Sequence, residues 1–98
     1  MIKHIVMWKL KDAGKAPVFK AQLESCANLV PGMLAFEVAI RTDELEANCD
    51  VVLYSGFEDK AALAAYQHHP QHQQVSGVLG ALRDTRTVLD YEIQGDKK

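Results

Sequence analysis

The chain is short of nearly every feature that announces a specialised protein. It has two cysteines, three prolines, six glycines and one tryptophan in 98 residues. Cys26 and Cys49 stand far apart with no C-x-x-C motif, which favours two reduced thiols over a disulfide or a metal framework. No apolar run approaches the ~20 residues that cross a bilayer, so no membrane partner is expected. The start, Met1-Ile2-Lys3-His4, opens a strand pattern rather than a secretory leader, and a cytoplasmic location is the expectation. With a formal net charge of −2 and a pI near 6.0, the chain also lacks the clustered basic residues that nucleic-acid binding requires. Lys3, Lys9, Lys11 and Lys15 interleave with apolar residues and read as a strand's wet edge. The glycines follow no phosphate-cradling pattern, and no nucleophile elbow or other hydrolase signature is present. There is no internal repeat or linker; residues 1–94 are expected to form one domain and 95–98 a flexible tail.

What is present is a regular alternation of strand and helix patterns. Residues 2–10 are β-branched and aromatic, with Ile2, His4, Val6, Trp8 and Leu10 on one face and Lys3, Ile5, Met7 and Lys9 on the other. Both faces are at least half apolar, unlike a sheet wet on one side. Asp12-Ala13-Gly14 breaks the strand, and Pro17 suits a first helical turn. Phe19, Leu23, Cys26 and Val30 make one helical stripe that Pro31-Gly32 ends. Met33 to Arg41 alternates again, placing Leu34, Phe36, Val38 and Ile40 on one face. Residues 50–57, with four consecutive apolar side chains, suit a central strand. Asp59 caps a helix that Pro70 stops, a further helix places Val75, Val78, Leu79 and Leu82 on one side, and residues 85–93 form the last strand.

The order βαββαβ implies an α+β fold, ferredoxin-like, with helices on one face of a four-stranded antiparallel sheet. The other face is too apolar to stay wet. A chain this small hides only about 60–65% of its unfolded surface, so a homodimer through that face is expected.

The densest polar cluster is Tyr66-Gln67-His68-His69-Pro70-Gln71-His72, at the junction between two helices. A histidine is the natural base near neutral pH, and a tyrosine hydroxyl can orient it or hold a carbonyl oxygen. Alternatively the His-Pro step is architecture, capping one helix and starting the next. A metal site is disfavoured, because Pro70 interrupts the helical spacing of His68 and His72 and no acid or thiol completes the ligand set. His4, alone on an apolar strand face, gains a role only if the junction packs over that face. Asp90-Tyr91-Glu92 reads as a strand end with alternate exposed acids.

Taken together, these residues resemble the stress-responsive A/B barrel, or Dabb, family of dimeric α/β-barrel proteins. The resemblance is carried by the stretch Ile2 to Asp12, by Val30-Pro31-Gly32, by Asp50 to Ser55 with Phe57-Glu58-Asp59, and most specifically by Tyr66-Gln67-x-His69-Pro70-x-His72 and Arg86-x-Val88-x-Asp90-Tyr91. It implies a homodimer whose two sheets close into a barrel, and no cofactor. One branch is a plant polyketide cyclase that performs an aldol closure, and its histidine base, tyrosine and strand histidine match His72, Tyr66 and His4. Since Tyr66, His69 and His72 belong to the general pattern, they do not select that branch, and Phe19, Lys20 and Leu23 stand where it has bulky aromatics. The implied ligand pocket would draw Trp8, Leu53 and Val88 from the strands, Phe19 and Leu23 from the first helix, and His69 and Val78 from the later ones. Three readings follow: a pocket for a small carbonyl compound near His72, a cofactor-free cyclase, or a non-catalytic stress-associated dimer. Fold alone does not choose among them.

Overall fold

The computed structural model describes residues 1–94; the expected tail, 95–98, lies outside the described residues. Strand β1 spans Ile2–Leu10, followed by a 3-10 turn at Ala13–Lys15 and helix α1 at Ala16–Glu24. Strands β2 (Met33–Ile40) and β3 (Val51–Phe57) come next, then helices α2 (Lys60–His68) and α3 (Pro70–Leu82), and strand β4 (Arg83–Glu92) closes the chain. The sheet order is β2-β3-β1-β4 with every pairing antiparallel, so β1 and β3 are central and β2 and β4 are edges.

Local chemistry sets the boundaries. The Asp12 carboxylate accepts from the Gly14 amide at 2.9 Å, Pro17 occupies the first turn of α1, and Asp59 accepts from the Ala62 amide at 2.8 Å to start α2. Helix α1 stops at Glu24, earlier than the apolar stripe implies. The chain turns through residues 25–28 with Asn28 at φ 61°, and the Ser25 hydroxyl donates to the Gln22 carbonyl at 2.6 Å. Cys26 is nonetheless fully buried with Phe19 and Leu23, because the turn continues the stripe onto the sheet. Gly32 sits at φ 90°, where a Cβ would meet the Ala62 Cβ at 2.9 Å, and its carbonyl accepts from Glu58 at 2.8 Å. That contact holds the entry of β2 against the start of α2 and needs a residue without a side chain.

Two sequence-based expectations fail for identifiable reasons. The β2/β3 register shifts between Met33 and Ala35, so Met33 lies opposite Phe57 and Leu34 is turned out, 53% exposed. In α3 the buried face is carried by Val75 and Leu79, and Val78 lies at its exposed flank.

Ile2, His4, Val6, Trp8 and Leu10 are all buried under the helices, with Phe19 meeting Trp8 edge to face at 5.0 Å. The opposite sheet face leaves Met7, Leu89 and Tyr91 exposed. On that face the Lys3 ammonium donates to the Tyr54 hydroxyl at 2.5 Å and lies 4.8 Å from the ring centre. No helix of the described residues is long and apolar enough to cross a membrane.

Candidate functional site

The junction between α2 and α3 separates its histidines by task. His68 is exposed on the last turn of α2, with its Nδ1 2.8 Å from the Ala64 carbonyl. His69 is the N-cap of α3, extended at ψ 137°, and its Nδ1 accepts from the Gln71 amide at 3.0 Å. Both therefore serve the backbone, and Pro70 follows at a position where a helix needs no N–H. His72, one turn further into α3, makes no such bond. Its ring meets the Tyr66 ring edge to face with centroids 4.6 Å apart.

Tyr66 is fully buried at the end of α2, surrounded by Phe57 at 5.2 Å, Phe36 at 6.3 Å and His4 at 6.4 Å between ring centres. His4 lies on the central strand β1 and pairs through Nδ1 with the Asp90 carboxylate, directly opposite on β4. Only 3% of the His4 side chain is exposed, against 39% for Asp90. A carboxylate on Nδ1 holds the proton on that nitrogen and leaves Nε2 as the basic one. The Ser55 hydroxyl donates to the His4 carbonyl at 2.8 Å and fixes the strand beneath.

His4, Tyr66 and His72 line one cavity of about 220 Å³ between sheet and helices. Among the described residues, the Tyr66 hydroxyl and His72 Nδ1 are the buried side-chain polar atoms without a hydrogen-bond partner. Buried polar groups are usually paired, so two unpaired ones on adjoining rings beside a cavity make this the candidate site. Burial pushes the Tyr66 phenol far above its ordinary range, assisted by the Cys26 thiol, and keeps it a neutral donor. Burial lowers the His72 pKa. The Gln67 carbonyl opposes that shift without meeting hydrogen-bond geometry at Nδ1, while His4, Arg86 and His69 add to it. Cys26 is raised by burial, which makes it an inert thiol.

Of the pocket residues expected from sequence, Trp8, Leu23 and Leu53 line the same cavity. Phe19 packs behind Trp8, and His69 is occupied as a cap. Val78 and Val88 are 40% and 44% exposed and lie off the wall, Val78 on the flank of α3 and Val88 on the edge strand β4. The wall also contains Val6, Val75, Ser76, Leu79, Arg83 and Arg86. Arg86 and Asp90 stand out in the sequence only as part of a family motif and Arg83 not at all; pairing the first strand with the last brings the two arginines to the cavity and sets Asp90 against His4. Among the described residues, no group of three or more His, Cys, Asp or Glu is placed to hold a metal ion.

A four-stranded antiparallel sheet with three helices on one face defines a ferredoxin-like α+β protein. Residues 2–93 match the stress responsive A/B barrel domain, and the chain belongs to that family. It is similar to the stress-response A/B barrel domain-containing protein HS1 of Arabidopsis thaliana, with 27% identity over 96 residues covering 93% of this chain and 88% of that one. Among solved structures it resembles a dimeric ferredoxin-like protein of unknown function from Jannaschia sp. CCS1, at 31% identity and a TM-score of 0.77, covering 94% of this chain and 98% of that one. A second dimeric protein of unknown function and ferredoxin-like fold, from Bacteroides fragilis NCTC 9343, is 27% identical with a TM-score of 0.78, covering 94% and 95%.

Proposed function

We propose that this protein binds a small carbonyl compound in the cavity between sheet and helices and moves a proton next to the carbonyl. The observation that carries the reading is the pair of buried, unpaired polar atoms, Tyr66 hydroxyl and His72 Nδ1, on rings 4.6 Å apart. His72, its pKa lowered by burial, is neutral at pH 7 and available as a base. It takes a proton from the carbon beside the carbonyl; the electron pair moves onto the carbonyl oxygen, which the neutral Tyr66 hydroxyl meets as a donor. His4, oriented by Asp90, supplies a further polar group on the cavity floor. An aldol closure of the polyketide-cyclase kind would begin with the same proton abstraction.

The protein works as a homodimer in this reading. The open sheet face exposes Met7, Leu89 and Tyr91, and the similar proteins from Jannaschia and Bacteroides fragilis are described as dimeric.

Deuterium incorporation from D2O next to the carbonyl of a panel of small methyl ketones tests the chemistry. Wild type should accelerate exchange, and His72→Ala should lose about 10²–10⁴ of that acceleration. Exchange no faster than buffer across the panel, or an unimpaired His72→Ala, rules the reading out.

A further inference from the structure

The cavity wall carries two guanidinium groups that the proton transfer does not use. Arg86 lies opposite Trp8 and Arg83 opposite Leu10 in the β1/β4 ladder, and both of those partners are buried on the helix side of the sheet. Residues three apart point to opposite faces of a regular strand. Here the register shifts between Lys9 and Leu10, so that Asp84 has no partner on β1 and Arg83 returns to the face that Arg86 occupies. Bulges beside functional sites commonly re-aim a side chain in this way. Both arginines line the cavity that holds Tyr66 and His72.

Among the described residues neither arginine is paired with a carboxylate. Among the described residues the ion pairs are His4 with Asp90 and Lys20 with Glu24, so the acid that shares their strand face is already engaged. The charge of Arg86 is felt at His72, where it disfavours protonation of the ring. Two like charges beside one small cavity, neither paired with a carboxylate among the described residues, suit an oxyanion, and the planar guanidinium fork suits a carboxylate in particular. The same wall includes the apolar side chains of Val6, Trp8, Leu53 and Leu79 together with Ser76 and His4.

We infer that the ligand is a small keto carboxylate, its carboxylate held by Arg83 and Arg86 and its carbonyl presented to Tyr66 and His72. The inference rests on the carbonyl reading proposed above and adds the charged end of the substrate. A volume of about 220 Å³ is below the ~300–1,000 Å³ of pockets for drug-sized ligands, which limits the enclosed part to a compact acid.

The test is a titration of wild type, Arg83→Met and Arg86→Met with levulinate, its methyl ester and inorganic phosphate, followed by NMR at the Trp8 indole N–H and the His72 ring. Levulinate should bind wild type at least tenfold more tightly than the ester. Each arginine substitution should bring levulinate towards the ester's affinity, while unchanged ester binding shows that the variants are folded. Equal affinity for acid and ester in wild type overturns the carboxylate inference and leaves the carbonyl reading standing. So does an acid preference that survives both substitutions. Phosphate binding as tightly as levulinate would make this a general anion site and overturn the assignment. Absence of binding by both acid and ester would remove the carbonyl reading and this inference with it.

Discussion

His4 and Asp90, 86 positions apart in the chain, face each other across the β1/β4 ladder and join through imidazole Nδ1 and carboxylate. The pair ties the central strand to an edge strand and fixes which nitrogen of a cavity-lining imidazole is basic. Removing the carboxylate strands a buried N–H. Asp90→Ala should therefore cost about 1–3 kcal/mol in urea unfolding, whereas Asp90→Asn, whose side-chain oxygen can still accept, should retain most of the stability. Equal losses in the two variants would show that the charge, rather than the hydrogen bond, matters.

Tyr66→Phe tests the opposite case. The hydroxyl is buried without a partner, so its removal relieves an unmet polar group and leaves the aromatic packing against Phe57, Phe36 and His72. Thermal unfolding should be unchanged or shifted upward, while deuterium exchange into a ketone substrate should fall. A variant that melts well below wild type would place the hydroxyl in a structural role.

The pH dependence of stability should carry the mark of His72. Its folded pKa lies below the ordinary imidazole value because burial disfavours the charged ring, so in that range the unfolded chain binds more protons than the native one. The neutral form's stabilisation is fully present above about pH 6.5, the ordinary imidazole value. It is lost as the pH falls through that value towards the folded pKa. Denaturant midpoints measured for wild type and His72→Gln from pH 8 to pH 5 should diverge on the acid side, with the wild type falling more steeply. Parallel curves would mean that the ring titrates as it does in water.

Much of the fold is legible in the sequence, and what is not has physical causes. The strand faces follow from strict alternation in β1, and Asp59 and Pro70 mark helix ends through capping and the missing N–H. Leu34 and Arg83 defeat alternation because each sits at a register shift, which inverts the side-chain parity that a pattern assumes. In the site, residue type brings His4, Tyr66 and His72 to notice. It cannot separate His72 from His69, which differ by one helical turn and by whether Nδ1 finds a backbone amide. Asp90 belongs to a family motif, but its role as the partner of His4 is not legible for another reason: pairing the first strand with the last is a non-local choice, and until it is made nothing sets the acid against that imidazole.

The open sheet face supplies the last prediction. Met7 is 39% exposed on β1 and Leu89 62% on β4, with Tyr91 beyond them at 41%. Met7 and Leu89 belong to neighbouring strands and Tyr91 lies opposite Lys3, so these side chains form a surface rather than scattered apolar points. A second copy covering that surface would remove it from water, at about 25 cal/mol per Å² of apolar area. Sedimentation at micromolar concentration should report twice the 10.9 kDa chain mass. Leu89→Lys puts a charge into the face at a position exposed enough in the single chain for folding to tolerate it. Like charges meeting across a two-fold interface repel, so the variant should sediment as a folded monomer. A wild type that remains monomeric, or a Leu89→Lys dimer as tight as wild type, would mean that this face is not where two copies meet.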